Sequence, residues 1–496
     1  MKRPIAVLLT VLLLLSACGT AVPGETPAAA PELTPHPTAA PTQEPAPSEA
    51  ASIGYIEIVP PQYDWVYPFS EGLAAVNIGI TWDAYGNLID GGTWGFIDKT
   101  GREVVPLKYD GAGDFSEGLA AIGLGDRETR RYGFIDKTGK EIVPPKYDEV
   151  RNFSEGLAVV MLGNELPRKW GLIDITGREV VPPKYDEVRD FPEGLAVVRL
   201  GDWETGKWGF VDITGREVVP PKYTDVRDFS KGLAAVRLGD WETGKWGFID
   251  KTGEEAVRPK YDDVRGFSEG LAAVYDSGKW GFVDINGKEV ISPKYDDARD
   301  FSEGLAVVGL GDLVSRKWGF VDITGREVVP PKYDDVQAFS EGLAAIRLGD
   351  ANTGKWGFVD KTGKEVISPK YTSTGMFSEG LAGVALGDWE TVKWGFVDIN
   401  GKEVIPPKYD SAGPFFRGIA VITDGRFYDD SRGVWENGKW GWIDKTGREV
   451  VPPRYDGIQS FSEGMAAVNI GAGGEWHWGF IDGKWGFIAL TGAAEE

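Results

Sequence analysis

The Trp-Gly pairs of this chain stand at a constant distance from the Phe-Ser-Glu-Gly that follows. Trp94, Trp208, Trp318 and Trp440 lie 21 residues before Phe115, Phe229, Phe339 and Phe461. All variation in length falls in the one segment that closes the period, and self-similarity of this kind marks a tandem array. Trp94, Tyr132, Trp170, Trp208, Trp246, Trp280, Trp318, Trp356, Trp394, Trp440 and Trp478 read as the openings of about eleven units, most of them 38 residues apart. Near-identical units do not readily supply one asymmetric catalytic constellation. Function is therefore expected from a repeated surface, and a non-enzymatic protein is the expectation.

The variable segment runs from the residue after Phe-Ser-Glu-Gly to the next Trp-Gly. It spans 13 residues from Leu195 to Trp208, 9 from Leu271 to Trp280, and 21 from Leu73 to Trp94 and from Ile419 to Trp440. These changes are even, as in a two-stranded hairpin whose side chains alternate between faces. The segment reads as a hairpin whose tip grows or shrinks. Lys207 to Asp212 (Lys-Trp-Gly-Phe-Val-Asp) alternates large apolar with small or polar residues and runs into a turn at Gly215. Glu217-Val218-Val219 follows, and Pro220-Pro221, lacking ladder donors, is expected to end that strand or hold it at an edge.

Three strands per unit result, with a loop through Tyr223 and Phe229 to the next. No stretch of the array has helical periodicity. The class is all-β. The four aromatics of a unit, such as Trp208, Phe210, Tyr223 and Phe229, do not offset the conformational entropy of ordering it alone, so units must stack. An open, curved β-solenoid is the preferred arrangement, because eleven units exceed the ~4–8 blades of ordinary closed rings. A closed, propeller-like toroid is the alternative, because Glu57 to Pro61 resembles a third strand that has lost its unit, and the last unit carries an extra strand at Trp485.

The formal charge is −23, which argues against binding a phosphate backbone and so against nucleic acid. Histidine is confined to His36 and His477, which leaves no histidine triad and no multi-histidine zinc site. No cofactor or metal is expected. The repeated Asp98, Asp136, Asp212, Asp250 and Asp360 stand three residues before a turn glycine, where a carboxylate accepts turn amides. The tryptophan of Trp-Gly reads as core, and its glycine as a point of close approach or unusual backbone angle.

A different set of aromatics is not required by the fold and reads either as a local lid on the neighbouring unit or as a binding surface. Trp203, Trp241 and Trp389 sit in Gly-Asp-Trp-Glu-Thr at the variable tip, where most other units lack an aromatic. Trp82, Tyr85, Phe427, Tyr428 and Trp435 lie in the two lengthened tips. Exposed aromatics stack on sugars or anchor partners, so Trp203, Trp241, Trp389, Trp82 and Trp435 are the candidate binding residues.

The single cysteine follows Lys2, Arg3 and an apolar run from Ile5 to Leu15. Leu15-Ser16-Ala17-Cys18 resembles the lipobox of bacterial lipoproteins, which implies lipidation of Cys18 and removal of 1–17 as a signal peptide. Residues 18–52 are rich in Pro, Ala and Thr without aromatics, the composition of a disordered tether. Residues 53–496 form the repeat domain. An extracytoplasmic location, with the lipid as the only membrane contact, follows from that resemblance.

The unit itself, Lys-Trp-Gly-Phe-Ile-Asp-Lys-Thr-Gly, then Glu-Val with Pro-Pro-Lys-Tyr-Asp, then Phe-Ser-Glu-Gly-Leu-Ala, resembles the WG (or KWG) repeat of bacterial proteins over roughly residues 55–492. The resemblance implies an all-β repeat domain and no particular activity. The hairpins are also reminiscent of cell-wall-binding repeats that hold choline or glycan between aromatics. Together these readings point to a lipid-anchored binding or scaffold protein whose hairpin edge contacts a cell-wall glycan or an envelope protein. A purely structural spacer and a carbohydrate-active enzyme are the alternatives.

Overall fold

The computed structural model describes residues 53–82, 88–163, 168–388, 390–425, 427–429, 434–436, 438–471, 476–477, 480–481 and 483–492. At 82, 88, 427–429, 434–436, 476–477 and 480–481 only the backbone is described. The leader, Cys18 and the tether lie outside these residues.

Eleven four-stranded antiparallel sheets follow one another along the chain. Blade 4 serves as the example. Its strands, in order across the sheet, are Glu187–Val188, Leu195–Leu200, Lys207–Asp212 and Glu217–Tyr223. The second and third form the expected hairpin, with Leu195 opposite Asp212 and Arg199 opposite Trp208. Numbered along the chain, blade 1 begins at Trp65, blade 2 at Gly111, blade 5 at Asp225, blade 7 at Asp297, blade 8 at Asp335, blade 9 at Ser373, blade 10 at Ser411 and blade 11 at Gly457.

Of the two outcomes expected at Pro220-Pro221, the structure shows the second: the strand after the Asp-x-Thr-Gly turn runs through the prolines to Tyr223 as the edge of the sheet. Trp208 pairs with Tyr223 and Phe210 with Val219, so the Pro-Pro pair is absorbed in a register shift where no ladder donor is needed. The connection between units also contains a short strand, Glu187–Val188 in blade 4, which pairs with the strand that follows. Each unit therefore contributes four strands.

The core lies between blades. One cluster joins Val197, Phe210, Val219 and Tyr223 of blade 4 to Val226, Phe229, Ala234, Val236 and Ile249 of blade 5. At its centre Phe210 meets Phe229 edge-to-face, with ring centroids 5.0 Å apart. The same pair recurs as Phe134 with Phe153, Phe320 with Phe339 and Phe396 with Phe415.

The Phe-Ser-Glu-Gly turn completes the joint. Ser116 Oγ donates to the Phe153 carbonyl of the next blade at 2.6 Å, and Gly118 N–H donates to Glu71 Oε2 of the preceding blade at 2.9 Å. Both turn residues have positive φ, 54° at Glu117 and 83° at Gly118, the geometry of a tight hairpin turn. A glutamate held there costs about 1 kcal/mol. Its reach to the next blade offsets that cost: Glu303 accepts from Glu341 N at 2.6 Å and Gly342 N at 2.9 Å and pairs with Lys361 at 3.0 Å.

The array closes on itself. The N-terminal strand Gly54–Tyr63 pairs antiparallel with Lys484–Thr491, completing blade 11, whose sheet order is 457–458, 465–470, 484–491 and 54–63. Blade 11 then meets blade 1 as any blade meets the next. Phe487 packs edge-to-face on Phe69 at 4.8 Å, Ser462 Oγ donates to the Phe69 carbonyl at 2.6 Å, and Glu463 accepts from Gly72 N at 3.0 Å. The fold is an eleven-bladed β-propeller, the closed alternative; the open solenoid is excluded because the terminal surfaces it would leave bare cover each other. The usual blade number does not bound this ring, whose clusters between blades include small side chains such as Ala234 and Ala196.

The eleventh Trp-Gly is also reassigned. Trp485, not Trp478, opposes Asn469 as Trp208 opposes Arg199, and Trp485 is fully buried. Trp478 lies outside the described residues. The inserted tip, 471–483, is seven residues longer than 201–206 (13 against 6), an odd number tolerated because those extra residues lie outside the main ladder.

The glycine of Trp-Gly is a point of close approach. A Cβ at Gly209 would stand 2.3 Å from the Val219 carbonyl oxygen and 2.6 Å from Pro221 N, where the bulged strand folds over it. Gly209→Ala is expected to destabilise the domain by about 2 kcal/mol or more, since backbone rather than a flexible side chain must give way. Thermal unfolding followed by circular dichroism checks this, with Gly266→Ala, where nothing lies within 4 Å, as the control.

Candidate functional site

The hairpins place the two kinds of turn on opposite faces of the ring. One face carries Phe-Ser-Glu-Gly and Asp-x-Thr-Gly. The expected role of the repeated aspartate is visible there: Asp98 Oδ1 accepts Thr100 N at 3.0 Å, Thr100 Oγ1 at 2.5 Å and Arg102 N at 3.1 Å. The Thr100 hydroxyl, followed by Arg102 and the turn amides, outweighs burial and holds the Asp98 carboxyl at about 2. These donors fill its oxygens with local chain, and among the described residues no three His, Cys, Asp or Glu side chains converge as a metal site.

The other face carries the variable tips and the Tyr-Asp connections. Here a second aspartate shapes each tip. Asp202 Oδ1 accepts Glu204 N at 3.0 Å, Thr205 N at 2.7 Å and Thr205 Oγ1 at 2.8 Å. Asp240, Asp312 and Asp388 make the same bonds in their own tips. The residue after the aspartate is thereby held outward on a fixed turn: Trp203 is 83 % exposed, Trp241 64 % and Leu313 88 %. An aspartate cap of this kind orders the backbone without using the displayed side chain.

Below the tips runs a row of carboxylates from the Tyr-Asp connections. Asp186 Oδ1 accepts Lys169 Nζ at 2.7 Å, and its Oδ2 accepts Gly201 N at 2.9 Å. Burial raises the Asp186 carboxyl, but Lys169 and the Gly201 amide lower it further, so the net shift is downward. The lysine comes from the preceding blade, so each such carboxylate ties two blades to the root of a tip.

The Trp-Gly tryptophans sit deeper. Trp208 and Trp246 are buried, and the Trp208 ring lies under the Arg189 guanidinium at 4.2 Å, with Arg199 at 5.4 Å. Arg189 also donates to the Val226 carbonyl of the next blade at 3.4 Å, and Arg299, over Trp318 at 4.5 Å, donates to the Val336 carbonyl at 3.0 Å. These rings are covered by structural cations.

Of the candidate residues, Trp203 and Trp241 occupy equivalent positions on the neighbouring blades 4 and 5. Trp82 and Trp435 belong to the long tips of blades 1 and 10, where Trp82 pairs with Leu88 and Trp435 opposes Tyr428 along the backbone. Their side chains, Trp389 and Cys18 lie outside the described residues. Sequence reasoning passed over Leu313 and Val314 of blade 7, the latter 97 % exposed. They border a groove lined by Arg316, Trp318, Arg347 and Ala351 between blades 7 and 8. Aligning the tips by their aspartates, rather than searching for aromatics, would have found Leu313 at the position of Trp203.

A sequence profile described as "WG containing repeat" matches residues 57–82, 94–127, 132–165, 170–202, 208–240, 246–280, 280–313, 318–350, 356–388, 394–425 and 440–476. No curated protein matches the chain. Among solved structures, "Crystal structure of the eukaryotic initiation factor" is similar at 13 % identity, covering 67 % of this chain and 95 % of that one, with a TM-score of 0.35. "Crystal structure of the tricorn protease" is 13 % identical, covers 83 % of this chain and 46 % of that one, and has a TM-score of 0.24. "Structure of Kluyveromyces lactis Hsv2p" is 11 % identical and covers 51 % of this chain and 97 % of that one, with a TM-score of 0.28.

The two sets of turn and row carboxylates set the response to acid. Asp98, Asp174 and Asp322 are held at about 2, against 3.8 for an unfolded aspartate, and Glu303 and Glu379 are held below 4.5. A carboxylate lowered in the folded state contributes stability that is complete above its unfolded value and is lost as pH falls toward its folded one. Melting temperature is therefore expected to hold down to about pH 4.5 and to drop steeply between there and pH 2, read by circular dichroism across that range.

Proposed function

The chain belongs to the family of WG-containing repeat proteins, and we propose that it is a non-enzymatic binding or scaffold protein, anchored outside a cell membrane by lipid on Cys18, that contacts a cell-wall glycan or an envelope protein through the tip face. The observation that carries this reading is the display of Trp203 and Trp241 on aspartate-capped turns, where both indoles are exposed and neither is needed to close the core. An indole in water offers a large apolar face that stacks on a sugar ring or fills a partner's pocket.

The ring geometry supports binding over catalysis in this reading. Equivalent tips at fixed spacing give several weak contacts of one kind, and a ligand that repeats along its own length engages them together, raising affinity without any strong single site. The opposite face has its polar groups committed between blades, as at Glu303 and Ser116, which leaves the tip face as the variable one.

Tryptophan replacement tests the proposal. Trp203→Ala, Trp241→Ala and Trp389→Ala together are expected to abolish retention on wall glycans or envelope extracts. The melting temperature should stay within the small shift typical of surface substitutions, about 0.5 kcal/mol each. Undiminished binding by the triple variant would remove the tip face from the mechanism, and reproducible turnover of any glycan would overturn the non-enzymatic assignment.

A further inference from the structure

The row of Tyr-Asp carboxylates is interrupted twice. Where the other connections place aspartate, those leading into blades 5 and 9 carry Thr224 and Thr372. In an intact position one carboxylate bridges two donors: Asp186 takes Lys169 Nζ with one oxygen and Gly201 N–H with the other, and Asp296 does the same with Lys279 and Gly311. The equivalent donors survive at the two threonines. They are Lys207 with Gly239 N–H, and Lys355 with Gly387 N–H. Each threonine hydroxyl turns away to a carbonyl, Thr224 to Gly239 O and Thr372 to Ala385 O. Among the described residues neither lysine has an ion-pair partner.

We propose that the position at Thr224 is a receptor for the carboxylate of an acidic sugar, a hexuronate, which takes the place of the missing aspartate between Lys207 and the Gly239 N–H. This rests on the reading of the tip face as the binding surface. Two further observations select the ligand class. The tip bearing Trp203 leads directly into Lys207, and Trp241 follows Gly239 by two residues; the exposed Trp203 indole offers a flat face to a pyranose ring, and Trp241, with the Arg237 guanidinium 5.1 Å from its ring centroid, offers its other face. The same tips carry Glu204 and Glu242, whose side chains have no partner among the described residues and accept from sugar hydroxyls. The chain's charge of −23 opposes anions at long range, and a ligand carboxylate is met by the local lysine only inside the screening length of about 8–10 Å. The second interrupted position is followed by the same Gly-Asp-Trp-Glu-Thr sequence, at 387–391, so the threonine and the tip tryptophan occur together in both units.

The test is titration of the full chain with trigalacturonate and with its neutral, carboxyl-reduced counterpart, read by tryptophan emission and calorimetry. The acid is expected to bind about tenfold more tightly, the worth of one charge-assisted contact. Thr224→Asp with Thr372→Asp restores the repeat's own carboxylate. That variant should melt no lower than the parent and bind the acid only as well as the neutral sugar, so lost binding is not lost folding. Lys207→Met with Lys355→Met should give the same loss. Equal affinity for both sugars, unchanged in Thr224→Asp, would overturn the receptor while leaving a glycan-binding tip face in place. No binding of either sugar would overturn the receptor, as would preference for an acidic peptide, acetyl-Asp-Gly amide, that the aspartate variant abolishes.

Discussion

Everything in this ring depends on the joint made by Phe-Ser-Glu-Gly. Its phenylalanine packs edge-to-face on the preceding blade, its serine bonds forward to the next blade's carbonyl, and its glutamate reaches that blade's turn amide. The glycine closes a turn that needs positive φ twice. A single sheet of this size has too little apolar area to fold alone, so the joint is where the free energy of folding resides. The strained position recurs blade after blade, as glutamate in nine turns and as Lys231 and Arg417 in two; glycine would relieve the strain and, at turns such as Glu117 and Glu303, remove the carboxylate that ties one blade to the next.

Closure follows from the same joint. In an open array the last phenylalanine and the first would face water, together with the edge of an incomplete sheet. Here the N-terminal strand fills that edge, and Glu463 grips both Gly72 N and Lys99 of the first blade. The first and last described strands lie together in one blade, which makes the ring cooperative, because opening it breaks a sheet and a joint at once.

Much of this was legible because repetition separates scaffold from ornament. The constant stretch announced packing, the even steps announced a hairpin tip, and the aspartate before each turn glycine announced its capping bonds. The two misjudged points share one cause. Trp485 rather than Trp478 completes the last blade, and the array closes where an open one was preferred; in each case the deciding contact is to a residue far away in sequence or to a neighbouring strand. Local pattern does not report such contacts. Leu313 was passed over for a different reason: a tip residue is recognised by the aspartate that presents it, and not by its own chemistry.

The two faces carry different physical constraints as a result. On the joint face a substitution at serine or glutamate severs a bond between blades, so chemistry there is fixed by packing. On the tip face the aspartate caps carry the backbone, and the residue they present is free to be Arg127, Trp203, Leu313 or Ala351 without cost to the core. A fold that places its repeated residues on one rim leaves the other as a set of interchangeable positions, so what distinguishes one blade from the next lies in the tips and in the few connections, such as Thr224 and Thr372, that depart from the repeat.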